Sequence, residues 1–115
     1  TPPPRPPTLA ERLAQRPREA VALEEPGAWI TPEDYPEDSV ERVEFGTVRY
    51  RLAIERDGDV DHCVILGSSG FEELDERACD MIEDRARFAP ALDASGRPIR
   101  GRYEGEHRWT LPFRR

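Results

Sequence analysis

No apolar run in this 115-residue chain is long enough to cross a bilayer, and no signal-peptide pattern stands at Thr1. The first residue is not Met, so a fragment or processed product is expected, and the missing span characterises these residues alone. A concentrated basic face is also lacking. Acidic residues outnumber basic ones by 24 to 17, and the formal charge of -7 argues against a nucleic-acid backbone as partner.

Potential metal ligands and catalytic bases are scarce. Two separated histidines, His62 and His107, and two cysteines, Cys63 and Cys79, lack the compact pairwise spacing of a structural zinc site. Eight acidic residues lie between Glu24 and Glu44, but without the alternating spacing, central glycine and closing glutamate of a calcium loop. Gly67-Ser68-Ser69-Gly70 lacks the nucleophile-elbow pattern. Alternation also puts His62 on the strand face opposite Cys63, a poor placement for a thiolate–imidazole couple. No catalytic residue, metal or cofactor is expected, and the chain reads as a non-enzyme. The cysteine count leaves free core thiols and a disulfide equally open.

Proline is abundant where the chain begins, with five in Thr1 to Pro7, and reads as a stiff tail or linker end. Thr8 and Glu11 form a capping-box pattern for a short helix that Pro17 should stop. Residues 1–28 are therefore expected to be linker end and short helix, and residues 29–115 the folded domain. The acidic stretch before Glu44 is expected to be a solvated, partly ordered lead-in, with compact structure starting near Trp29 or Tyr35.

Beyond the lead-in, the hydrophobic pattern is clear. Val48, Tyr50, Leu52 and Ile54 alternate with polar residues, which predicts a half-buried strand. Asp57-Gly58 predicts a tight hairpin, and Val60 to Leu66 the returning strand. Ser69 and Glu72 are spaced to cap a helix whose apolar stripe is Phe71, Leu74, Ala78, Ile82 and Ala86. Asp75 and Glu76 are expected at its exposed start. Ile99 to Leu111 alternates again, predicting one long strand with Ile99, Tyr103, Trp109 and Leu111 on the packed face. The fold class is α+β: a three-stranded antiparallel sheet covered by one main helix, in the order β-β-α-β. An open sheet of this kind leaves main-chain donors and acceptors on an outer strand. These can pair with an extended peptide or with another copy, giving a possible homodimer.

Three segments in order resemble the TonB C-terminal domain family. The first is Tyr35-Pro36 followed by Gly46-Thr47-Val48. The second runs from Ile54-Glu55-Arg56-Asp57-Gly58-Asp59-Val60 into Val64-Ile65-Leu66-Gly67-Ser68-Ser69-Gly70. The third is Leu74-Asp75, then Arg85-Ala86-Arg87-Phe88-Ala89-Pro90-Ala91, Gly96-Arg97-Pro98-Ile99 and the closing strand to Trp109. The resemblance covers roughly residues 35 to 112. Thr31-Pro32-Glu33-Asp34 lacks the glutamine-containing run of the best-known members, and Ala86 stands where tryptophan is common.

The resemblance implies a periplasmic module of an energy transducer that pairs with the TonB-box peptide of an outer-membrane transporter. It also implies an inner-membrane motor complex and a membrane anchor, both acting through chain preceding this domain. Mapped onto this sequence, the peptide-binding edge is Arg100, Gly101, Arg102, Tyr103, Glu104, Gly105, Glu106, His107, Arg108 and Trp109. Tyr35 and Pro36 begin the domain near that interface. The resemblance also directs Cys63 and Cys79 to the strand–helix core, where an oxidising compartment would favour a disulfide.

Overall fold

The computed structural model describes residues 18–111. The short helix expected from Thr8 and the proline-rich start lie outside the described residues. The elements in chain order are β1 (Val21–Ala22), α1 (Glu37–Glu41), β2 (Gly46–Ile54), β3 (Val60–Gly67), α2 (Glu72–Arg85), β4 (Phe88–Ala89), β5 (Ala91–Leu92), β6 (Pro98–Ile99) and β7 (Gly101–Trp109).

The main sheet is antiparallel with the order β3-β2-β7, so β2 is central. Its alternation is realised in full: Val48, Tyr50, Leu52 and Ile54 are all buried beneath α2. Leu74, Ala78, Ile82 and Ala86 supply the facing stripe, and Phe71 packs at its margin. The β2–β3 hairpin turns through Gly58, whose φ of 92° lies in the left-handed region. A Cβ there would sit 1.9 Å from the Phe88 carbonyl oxygen, and the Phe88 N–H donates to the Gly58 oxygen at 2.9 Å. Glycine thus serves both the turn and the crossing of the chain as it leaves α2.

A disulfide joins Cys63 on β3 to Cys79 on α2, with Cα atoms 5.5 Å apart. It fixes the helix on its sheet. Closing a loop of this size restricts the unfolded chain and stabilises the fold by about 2–4 kcal/mol.

Four sequence expectations require correction. The α2 capping box between Ser69 and Glu72 does not form, because the extended Phe71 occupies the N-cap position. Asp75, one turn inside the helix, reaches back instead. It accepts the Ser69 N–H at 2.9 Å and the Ser69 hydroxyl at 2.7 Å, and it also bonds the Ser68 hydroxyl. With these donors satisfied, Asp75 is buried and does not sit on the exposed helix start.

The expected strand from Ile99 to Leu111 is broken at Arg100. Pro98–Ile99 pairs with Ala91–Leu92, whereas Gly101–Trp109 pairs with β2. Close packing makes the change of partner at this point: a Cβ on Gly101 would lie 2.9 Å from the Ala91 Cβ. Ile99 is consequently exposed and does not join the packed face.

The acidic lead-in is packed, not solvated. Trp29, Ile30 and Tyr35 turn into the core, leaving most of the carboxylates outward. Further back, Val21–Ala22 pairs with Phe88–Ala89, and Arg18 exchanges main-chain hydrogen bonds with Leu92.

Candidate functional site

The sheet has two outer strands, and they differ in how they are covered. On β3 the Cys63 N–H donates to the Glu83 carboxylate at 3.2 Å, and the disulfide ties the same residue to α2. Helix side chains therefore lie along that edge. β7 is paired with β2 over its whole length, from Gly101 opposite Ile54 to Trp109 opposite Gly46. Among the described residues no strand adds to its other flank.

The alternation of β7 gives it two distinct faces. Arg102, Glu104, Glu106 and Arg108 are exposed, while Gly101, Tyr103, Gly105 and His107 are half-buried and Trp109 is buried. The Tyr103 ring lies 5.2 Å from Phe88 and 6.0 Å from Trp29, the latter edge to face. Gly105 sits over the Tyr50 hydroxyl, which a Cβ would approach to 2.8 Å. These contacts anchor the strand from below, and its outer flank carries no partner strand among the described residues.

Tyr35 and Trp109 meet edge to face at 5.0 Å, and Tyr35 donates its hydroxyl proton to the Glu44 carbonyl. Burial, with the Glu44 carboxylate nearby, pushes the phenol up from its ordinary value. Pro36 goes elsewhere, to a hollow of about 460 Å³ bordered by Glu37, Glu73, Arg77 and Asp80. The structure thus brings Tyr35 to the end of β7 and turns Pro36 towards α2. Arg100 lies outside β7 and faces Glu55 at 3.5 Å.

Residues that precede β2 in the chain flank β7 at both ends. Ala20 approaches Gly101, and a hollow of about 600 Å³ opens beside Ala20, Ala91, Gly101 and Tyr103. At the other end Ile30, Pro32 and Tyr35 border a smaller hollow with His107 and Trp109. The sequence signal for this arrangement was the trio Trp29, Ile30 and Tyr35 inside the acidic run. The lead-in is held by Asp34, whose carboxylate is drawn down to about 2 by hydrogen bonding to the Arg85 guanidinium, against the opposing effect of burial. Burial lowers the pKa of His107, and the Asp34 charge partly offsets this.

The groups considered for covalent chemistry are separated or consumed. Cys63 and Cys79 are bonded to each other, and His62 pairs with Asp61 at 3.0 Å on the exposed face. Among the described residues no group of three or more His, Cys, Asp or Glu could hold a metal ion. No helix of the described residues is long and apolar enough to cross a membrane.

Taken together, a three-stranded sheet under one main helix, with no further strand on β7 among the described residues, defines a small α+β domain. The sequence model of the family described as Gram-negative bacterial TonB protein C-terminal matches residues 31–111, and the chain belongs to that family. It is a family of periplasmic, non-enzymatic transducer domains whose partners are outer-membrane transporters. No curated protein matches the chain.

Proposed function

We propose that this domain binds the N-terminal TonB-box segment of an outer-membrane transporter by taking it up as a fourth strand on β7. The carrying observation is the flank of Gly101–Trp109, which no strand of the described residues pairs with, set against a β3 edge lined by Glu83 and the disulfide. A nine-residue flank turns about four or five residues outward, each with an N–H and a C=O, and so offers roughly eight main-chain hydrogen bonds to an added strand, each contributing about 0.5–1.5 kcal/mol net. Tyr35 and Trp109 close one end of the track, and the Ala20–Gly101 contact closes the other. Preorganisation of β7 by Tyr103, Phe88 and Trp29 reduces the ordering cost of binding.

In this account the domain transmits force and makes or breaks no covalent bond. An inner-membrane motor complex acts through chain N-terminal to the domain, which a membrane anchor would hold in place. Titration of the labelled domain with N-terminal peptides of transporters from the same organism tests the proposal. Backbone amide shifts should concentrate in residues 101–109, with Tyr35 responding through Trp109. Absence of any shift in that strand with every peptide would rule the proposal out.

A further inference from the structure

The exposed side chains of β7 read Arg102, Glu104, Glu106, Arg108, a charge palindrome centred on Gly105. β2 treats the members of this set unequally. Glu104 lies beside Arg51, with Nε–Oε2 at 3.6 Å, and Glu106 stands opposite Arg49 in the ladder. Arg102 stands opposite Ala53 and Arg108 opposite Thr47. Among the described residues neither of these two arginines has a carboxylate within salt-bridge distance. Glu104 is thus paired from within the sheet and Glu106 faces an arginine across the ladder, while the two terminal cations have no carboxylate partner among the described residues and can meet whatever occupies the outer flank.

A second copy of the chain fits this flank badly. The two-fold antiparallel pairing that engages the whole strand is centred on Gly105. It sets Arg102 against Arg108 and Glu104 against Glu106, like charge facing like at every exposed position. Directly opposed like charges destabilise a strand pair. The palindrome therefore works against self-association through full-length β7 pairing and leaves the flank for a partner of complementary charge.

We infer that β7 selects an extended peptide bearing two carboxylates six positions apart, one meeting Arg102 and the other Arg108, with no acidic side chain facing out between them. Six is the separation of the two arginines, and an added strand keeps residue-for-residue step with the strand it joins. Every one of the 17 basic side chains in this protein is arginine. The guanidinium fork binds a carboxylate through two parallel hydrogen bonds, which a lysine cannot do. Because the pattern is symmetric, a peptide running in either direction meets the same charges. The carboxylates set the register, and main-chain bonds supply most of the affinity.

This inference rests on the proposed strand addition and deepens it. Its test uses the complete, oxidised chain and synthetic extended peptides that differ only in charge: two aspartates at the required spacing, the same peptide with asparagines, the aspartates at a shorter spacing, and two lysines. Calorimetry gives affinity and amide shifts give location. The correctly spaced dicarboxylate should bind about tenfold tighter than its asparagine analogue, two exposed cross-strand ion pairs together. That advantage should shrink as salt rises. The double variant Arg102→Glu, Arg108→Glu, altered only at exposed positions, should reverse the preference towards the lysine peptide.

Equal affinity of the dicarboxylate and asparagine peptides, with shifts still located in β7, would overturn the charge code and leave strand addition standing. Failure of all the peptides to shift β7 would overturn both. Sedimentation showing a dimer that the dicarboxylate peptide cannot dissociate would also overturn it, since the flank would then belong to a second copy.

Discussion

Arg85 grips Asp34 with both ends of its guanidinium: Nη1 donates to Oδ2 at 2.5 Å and Nη2 to Oδ1 at 2.8 Å. The same Nη1 also reaches the Trp29 carbonyl at 3.0 Å. One side chain in the last turn of α2 therefore holds both ends of the segment that seats Trp29 and Tyr35 beneath β7. Asp34 also accepts the Thr31 N–H at 2.7 Å, so its carboxylate is saturated with donors although buried.

Acid should release this clamp. The folded pKa of Asp34 is lowered from 3.8 to about 2, so its contribution is present above the unfolded value and is lost as pH falls through the folded one. Arg85 is partly exposed, which screens the pair, and about 1–2 kcal/mol is expected. Urea unfolding of the wild type and Asp34→Asn should differ by that amount at pH 6. The difference should vanish towards pH 2. A gap that stays constant across this range would show that the carboxylate charge is not what holds the lead-in.

His107 adds a second, milder acid sensitivity. Its folded pKa lies below the ordinary 6.5, chiefly through burial, so the unfolded chain takes up its proton first. Stability is complete above the unfolded value and declines as pH falls below it. NMR titration should place the His107 midpoint below 6.5, and a midpoint above 6.5 would mean that the Asp34 charge outweighs burial.

The disulfide is expected to matter for the helix–sheet contact more than for β7. Replacing Cys63 and Cys79 by Ala should lower unfolding stability by about 2–4 kcal/mol. Amide shifts of Gly101–Trp109 should stay close to those of the oxidised protein. Thiol titration of the unreduced, unfolded chain should find no free thiol; two would contradict the Cys63–Cys79 bond.

Gly58→Ala is expected to be far more damaging than its size suggests. The new methyl would meet the Phe88 carbonyl at 1.9 Å in a backbone conformation that L residues rarely adopt. A loss of about 2 kcal/mol or more is expected by urea unfolding, together with displaced β4 resonances. A variant as stable as the wild type would mean that the hairpin and Phe88 can separate freely.

Parts of this architecture were legible in the sequence because one period explained burial. The alternation of Val48, Tyr50, Leu52 and Ile54 and the stripe from Leu74 to Ala86 depend only on strand and helix geometry. β7 was legible for the same reason. The break at Arg100 was not, because it follows from the contact of Gly101 with Ala91 and Ala20, residues far from it along the chain. The burial of Asp75 depends on where Phe71 ends the loop, and capping spacing alone favoured Glu72. In the lead-in, the number of carboxylates masked three inward-facing apolar anchors. Tyr35 and Pro36, adjacent in sequence, point to different surfaces because Tyr35 follows Trp109 while Pro36 opens α1.

The most direct test is amide hydrogen exchange across Gly101–Trp109, with and without a transporter N-terminal peptide. Strand addition predicts that alternate β7 amides, those pointing away from β2, exchange fast in the free domain and become protected in the complex. Protection should not spread to β3. Unchanged exchange throughout β7 on peptide binding, or new protection confined to β3, would contradict the assignment of this edge as the binding site.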